Sequence, residues 1–393
     1  MTKNDDKRVP ALRFKGFNDD WAQHKLGDIA QRKNKTSDCS KLPNVSYEDI
    51  SPNIGTLNKS VNKLSTGKKG ILFKKDDVLF GKLRPYLNNY LFAGFTGIAI
   101  GDFWVLNHKE APQFLFYLIQ SPKFRYISNI SSGSKMPRSD WNLVSNYKFN
   151  VPAVFEQTNI GKTLKLIDTL ITLQQRKLKQ VELLKKYLLQ NLFPTKNEKN
   201  AKLLFKGHKE IWREQKANDI FTEVDTRKVP DNTILSTTQN GKVVPRNSLG
   251  RNLVFSTSKL KNYKLVRSGQ FIVHLRSFKG GFATSSLTGI VSPTYTIFDF
   301  KNRTKHDTKF WSILFTNYNF IQSLKSVTEG IRYNGIAIKF SQFSDLKISF
   351  PQLSTQMDIS KIINCLNLSL EKQKLKIQKL QKTKQFLLQN MFI

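Results

Sequence analysis

Phe14-Lys15-Gly16, followed by Trp21, Lys25, Asp28 and Ile29, returns 191 residues later as Phe205-Lys206-Gly207 with Trp212, Lys216, Asp219 and Ile220. Leu83-Arg84 and Thr96-Gly97-Ile98 return as Leu275-Arg276 and Thr288-Gly289-Ile290, at an offset of 192. Pro152, Gln157, Ile160, Lys162 and Leu188-Leu189-Gln190-Asn191 return as Pro351, Gln356, Ile359, Lys361 and Leu387-Leu388-Gln389-Asn390, at an offset of 199. Such self-similarity decides the architecture before any local reading does: the chain folds as two copies of one plan. Its 393 residues leave ample length for two domains.

The offset grows by about eight residues along the repeat, so the insertions fall in the middle of each copy while the closing segments stay in step. The order reads globule, helix, globule, helix. Residues 1–9 read as a frayed terminus, 10–153 as the first globule, 154–193 as a long helix and 194–203 as a polar linker that opens on Pro194. Residues 204–352 form the second globule and 353–393 the second long helix. Alternating apolar segments inside the globules predict strands, so the fold class is α+β.

From Thr158 to Asn191 there is no proline, and apolar side chains fall at Ile160, Leu164, Ile167, Ile171, Leu178, Val181, Leu184 and Leu188. Steps of four and three alternate, which is heptad spacing. A helix of roughly 35 residues, about 50 Å long, needs a partner helix. The second copy offers Ile359, Ile363, Leu366, Leu370, Ile377, Leu380, Leu387 and Met391 on the same seam, with Gln373 in the place of Gln174. Either the two glutamines face each other and fix the register, or both are solvated at a break in the stripe. Near-copies packing through one surface predict a pseudo-two-fold, antiparallel coiled coil with a globule at each end.

Lys and Arg number 64 against 29 Asp and Glu, a formal charge of +35. That excess attracts polyanions through counterion release, with nucleic acid foremost, although an AT-rich coding bias also enriches Lys. Hydrophobic residues at 39% and 29 Phe exclude a largely disordered chain. Cys39 and Cys365, the two cysteines, allow neither a disulfide framework nor a zinc site and suggest a reducing compartment. No apolar run reaches bilayer length and the first residues lack a signal-peptide core, so a cytoplasmic, membrane-free protein is expected.

Catalytic and cofactor motifs are scarce. Gly161-Lys162-Thr163 imitates the end of a phosphate loop, but Glu156 stands where the first Gly belongs. No GxGxxG occurs, and His24, His108, His208, His274 and His306 show no metal-ligand spacing. Asp76-Asp77 reads as surface or capping, and Glu214-Gln215-Lys216 has no strand before it to carry a nuclease acid. No catalytic, cofactor or metal residue is therefore assigned.

Basic residues beside Gly, Ser and Asn are the candidate DNA contacts: Lys68, Lys69, Lys82, Arg84, Lys135 and Arg138 in the first globule, and Arg246, Arg251, Arg267, Arg276, Lys279 and Arg332 in the second. Arg forks suit guanine, whereas Lys suits phosphate. Each is equally readable as a solvated charge, and Arg84 and Arg276, which share a repeat position, also as structural.

Two basic globules, each opened by Trp-x3-Lys-x2-Asp-Ile and closed by Pro-x4-Gln-x2-Ile and a helix ending Leu-Leu-Gln-Asn, resemble the specificity subunit of type I restriction-modification systems. The resemblance spans nearly the whole chain and is most specific over Pro152–Phe193 and Pro351–Phe392. It implies two target recognition domains, each reading one half of an asymmetric bipartite site on double-stranded DNA, with the helical pair setting the spacer. It further implies assembly with two methyltransferase subunits, which bind S-adenosylmethionine, and two restriction subunits, which use ATP and Mg, while this chain performs no chemistry. A stand-alone nucleic-acid enzyme and a basic coiled-coil adaptor are the competing readings.

Overall fold

The computed structural model describes residues 9–130, 136–195, 198–207, 212–229, 232–238, 242–249, 260–273, 282–321 and 340–393. Helices and strands are mixed throughout, as an α+β chain requires. The chain forms two compact units, Met1–Lys177 with Gln373–Ile393, and Leu178–Lys372. Each unit takes a part of both long helices, whereas the expected boundaries keep each helix whole and apart from the globules.

In the first unit, the strands Gln31–Lys33, Phe103–Asn107, Val78–Gly81 and Tyr90–Phe92 form a four-stranded sheet in that order. The runs Val78-Leu79-Phe80 and Phe103-Trp104-Val105-Leu106 are apolar at every position because both faces are covered. Val78, Phe80, Trp104 and Leu106 face a helical core with Phe114, Leu115 and Phe124. Leu79, Phe103 and Val105 face a second core with Val45, Phe73 and Ala99. These last three lie on a second four-stranded sheet, ordered Thr36–Ser37, Gly70–Phe73, Gly97–Ala99 and Asn44–Val45. Ala22–Lys25 pairs with Lys148–Val151 and closes the globule at its base.

The second unit repeats the first sheet as Phe221–Glu223, Thr296–Phe300, Phe271–Val273 and Phe282–Thr284, and the closing ladder as Arg213–Lys216 with Lys347–Phe350. Phe271, Val273, Phe282 and Phe298 turn to the helical side, and Ile272, Ala283 and Ile297 to the other. Phe221 sits inside that core, with the rings of Phe271, Phe298, Phe300, Trp311, Phe315 and Phe343 all centred within 6 Å of its own.

The repeated motifs are backbone devices. Gly97 and Gly289 lie where an adjacent strand approaches so closely that a Cβ would strike Pro43 O in one unit and Thr233 O in the other. Gly16 and Gly207 hold φ of +99° and +88°, a left-handed conformation that costs glycine little. Gln157 Nε2 donates to Pro152 O at 2.8 Å, and Gln356 Nε2 donates to Pro351 O at the same distance. The N–H of Leu203 donates to Asn191 O, and that of Leu12 to Asn390 O.

The long helices run over Val154–Asn191 and Leu353–Asn390, 38 residues each, and start a turn or more before the periodic stripe does. In the first unit Lys384 pairs with Asp168, while Phe392 stacks on Phe114, against which Gly161 packs; the two helix segments there run in opposite directions. Of the expected seam, Ile160, Leu164, Ile171, Ile359, Ile363, Ile377 and Met391 are buried. Ile167, Leu178, Val181, Leu188, Leu366, Leu370, Leu380 and Leu387 are half-buried. Leu184 is exposed, and Leu388 takes the buried place beside Leu387. The stripe is dry where a globule core meets it, as at Ile160 and Leu164 or Ile359 and Ile363, and loosens between. No hydrogen bond joins Gln174 to Gln373; both residues are half-buried, and Gln373 Oε1 is closed off without a partner.

Two carboxylates also differ from expectation. Asp77 is fully buried, accepting Lys33 Nζ at 2.6 Å, Asn107 Nδ2 at 3.0 Å and the Lys74 N–H at 2.7 Å, so it is a core ion pair and not a surface acid. Glu214-Gln215-Lys216 does lie in a strand, but an exposed one, where Glu214 pairs with Lys347.

Candidate nucleic-acid interface

Strand register brings several loops of the first unit to one end. Ala99 opposite Ile71 sets the Gly67-Lys68-Lys69 turn beside the Ile100-Gly101-Asp102 turn, and Phe103 opposite Gly81 adds Lys82-Leu83-Arg84. Asn44–Val45 runs parallel to Gly97–Ala99 and delivers Tyr47 to the same end. Lys82, Arg84, Lys68 and Lys69 are thus gathered by topology from positions far apart in sequence.

A short ladder fixes the centre of this end. The Arg84 N–H donates to Pro137 O at 2.8 Å, the Ser139 N–H to Lys82 O at 2.9 Å, and Leu83 bridges Arg138. The Tyr47 hydroxyl donates to Asp102 O at 2.6 Å and accepts the Leu83 N–H at 3.1 Å. Burial pushes that phenol up to about 12, opposed by the Leu83 bond, so it remains a donor at neutral pH. Asp102 then takes two cations: Lys82 Nζ at 3.4 Å and Arg138 Nη2 at 3.1 Å.

Beside the basic ladder lies an apolar and amide rim. The Asn53 N–H donates to Asn88 O at 3.1 Å, and Asn88 Nδ2 returns a bond to Asn53 Oδ1 at 2.9 Å, both residues holding positive φ. These bonds tie two loops that expose Ile54, Tyr86 and Leu87. Cations for phosphate, amides and an arginine fork for base edges, and an aromatic for stacking or wedging are the side chains by which proteins grip nucleic acid.

In the second unit, Lys264 opposite Val291 and Val273 opposite Thr296 define the corresponding end, with Asn262-Tyr263 and Ser292–Tyr295. Arg246 lies against the Tyr263 hydroxyl at 3.4 Å, and Thr237 Oγ1 lies 3.3 Å from the Tyr295 hydroxyl. Arg267 belongs to the turn at the opposite end, where its N–H bonds Gln270 Oε1, so the structure separates it from the cluster. Lys135, Arg251, Arg276, Lys279 and Arg332 lie outside the described residues.

Sequence reasoning missed Tyr47, Asn53, Tyr86, Asn88 and Asp102. The signal for part of this was present: Arg84-Pro85-Tyr86-Leu87-Asn88-Asn89 combines proline, asparagine and an aromatic, the composition of an ordered turn that carries side chains outward. Gly161-Lys162-Thr163 lies inside the first long helix, so it cannot wrap a phosphate as a loop does. Among the described residues no group of His, Cys, Asp or Glu could hold a metal ion, and no helix is long and apolar enough to cross a membrane.

Residues 18–183, which include this whole loop cluster, match the family model described as type I restriction modification DNA specificity domain. A 168-residue stretch is 25% identical to the Type I restriction enzyme HindI specificity subunit of Haemophilus influenzae, covering 39% of this chain and 36% of that one. Another of 136 residues is 32% identical to the MjaVIII specificity subunit of Methanocaldococcus jannaschii, covering 32% of each. The matches thus span about a third of the length of these curated relatives. The fold is similar over nearly the full length to the S subunit of a type I restriction-modification system from M. genitalium, with a TM-score of 0.58 at 12% identity over 98% of this chain and 99% of that one. A chain from a structural study of complex assembly and conformational transition of the type I system gives a TM-score of 0.51 at 17% identity, covering 94% and 96%.

Proposed function

From the premise that this chain belongs to the specificity-subunit family of type I restriction-modification systems, we propose that it selects the DNA site at which partner subunits act. Each globule reads one half of an asymmetric bipartite sequence in double-stranded DNA. The two long helices pack as an antiparallel pair and set the spacing between the half-sites, so the molecule is two recognition domains on a shared helical spacer. Two methyltransferase subunits, carrying S-adenosylmethionine, and two restriction subunits, using ATP and Mg, perform adenine methylation and cleavage. The chain itself is non-catalytic and works in the cytoplasm, where the chromosome lies.

The observation that carries this reading is the loop cluster around Asp102, which gathers Lys68, Lys69, Lys82, Arg84 and Arg138 at one end of a sheet pair within the matched region. A formal charge of +35 supports the polyanion partner. Leu166, Leu170, Leu173 and Leu183, exposed along the first long helix, support protein partners that cover an apolar face.

The test is selection of duplexes from a random library by the chain co-purified with its methyltransferase subunit, at rising salt. A bipartite motif that persists as salt rises is the expected outcome. Binding that is sequence-blind and lost at modest salt contradicts the reading.

A further inference from the structure

Three cations stand on the ladder at the loop end of the first unit, and they are not equivalent. Lys82 and Arg138 are both committed to the Asp102 carboxylate. Arg84, between them in the ladder, is exposed, and among the described residues its guanidinium has no hydrogen bond and no ion pair. We infer that Arg84 is the side chain with which the first globule reads a guanine, while Lys82 and Arg138 position the loop on the sugar-phosphate backbone. The assignment rests on the proposed DNA-recognition role and names the residue that exercises it.

The backbone supports this division. Arg84 holds φ 49° and ψ 60°, a left-handed conformation that non-glycine residues seldom adopt. It is pinned on every side: its N–H on Pro137 O, the preceding N–H on the Tyr47 hydroxyl, its carbonyl accepting the Leu87 N–H, and Pro85 next in the chain. Such a conformation persists only where its surroundings over-determine it, and it gathers at functional sites. An arginine on a fixed base with an uncommitted fork suits the bidentate contact to guanine O6 and N7, which tolerates little misplacement. A cation already shared with a carboxylate suits phosphate, where an ion pair is exchanged for another and no base is distinguished. The opposite allocation would require Arg138 to break its Asp102 contact before reading anything.

The experiment uses the complex with its methyltransferase subunit and a library randomised in both half-sites. Arg84→Ala and Arg84→Lys are expected to lose the preference for one G·C pair in one half-site by about 10- to 100-fold, with the other half-site unchanged. Arg84→Gly removes the guanidinium while relieving the left-handed backbone, and it must lose the same preference, which separates reading from loop collapse. Arg138→Ala is expected to weaken all sequences alike and to lower the slope of log affinity against log salt by about one, with the motif intact. An unchanged motif in Arg84→Ala or Arg84→Gly overturns the assignment, as does a motif altered by Arg138→Ala. A wild-type complex that selects no bipartite motif overturns the DNA-recognition role itself.

Discussion

Lys384 Nζ stands 2.8 Å from Asp168 Oδ1, and the Tyr117 hydroxyl donates to the other oxygen of that carboxylate at 2.8 Å. One acid on the first long helix thereby holds a base on the second and a phenol of the globule beneath. Burial and the Asp168 charge both push the Tyr117 phenol up, so it stays a donor. The second half has Asn367 at the repeat position of Asp168, so no carboxylate stands at that place there.

Asp168→Ala leaves an ammonium and a hydroxyl without their acceptor in a site largely closed to water. A loss of about 1–3 kcal/mol is expected, read as a lower denaturant midpoint for the first unit. Adding Lys384→Met to that variant should recover part of the loss, because the unpaired charge is gone. Equal and additive losses in the two single variants and their combination would show that the pair is not coupled.

Gln157 and Gln356 make the same bond to a proline carbonyl, but Gln356 Oε1 also accepts the Asp307 N–H at 3.0 Å. Asp307 caps the helix Thr308–Thr316 by accepting the Phe310 N–H, whereas the helix Pro112–Leu118 of the first unit starts from Ala111 with no side-chain cap. Both Gln→Ala variants should destabilise by about 1–2 kcal/mol, Gln356→Ala by more, as thermal unfolding would register.

Gln373→Leu should stabilise the protein by about 1 kcal/mol, since it removes a buried oxygen that no donor meets. A drop in melting temperature would mean that Gln373 serves the helix pair in a way its surroundings do not reveal.

Burial, reinforced by Lys305, lowers the His306 imidazole from 6.5 to about 4, and the ring stacks on Phe300 at 4.9 Å. The unfolded chain takes up this proton below pH 6.5 and the folded chain only near 4. Stability that is complete above pH 6.5 is therefore lost as pH falls from 6.5 towards 4, by about 1–2 kcal/mol once solvent access is allowed for. His108 is lowered by burial in the same direction and adds to the loss. His306→Phe should flatten the stability profile between pH 6.5 and 4.

Much of the plan was legible because the repeated residues are the ones that fix backbone. Gln157 and Gln356 bind a proline carbonyl, Gly97 and Gly289 admit a neighbouring strand, and Trp21 and Trp212 fill the same core place, so sequence identity marks each device. The long helices showed themselves in heptad spacing, and the central strands in runs such as Val78-Leu79-Phe80. Partners chosen by tertiary approach left no such trace. Nothing near Asp102 announces that it will hold Arg138, 36 residues away, and nothing near Asp77 that Lys33 will meet it in the core. Leu184 lies exposed because it falls one residue short of the heptad place, which Lys185 holds four residues after Val181 and three before Leu188.

The most direct measurement is a genome-wide map of N6-methyladenine in cells with and without this gene. A single asymmetric bipartite motif, methylated only when the gene is present, is the predicted result. A methylation pattern unaffected by the gene, or a motif of one continuous block, would contradict a subunit that reads DNA through two separate globules.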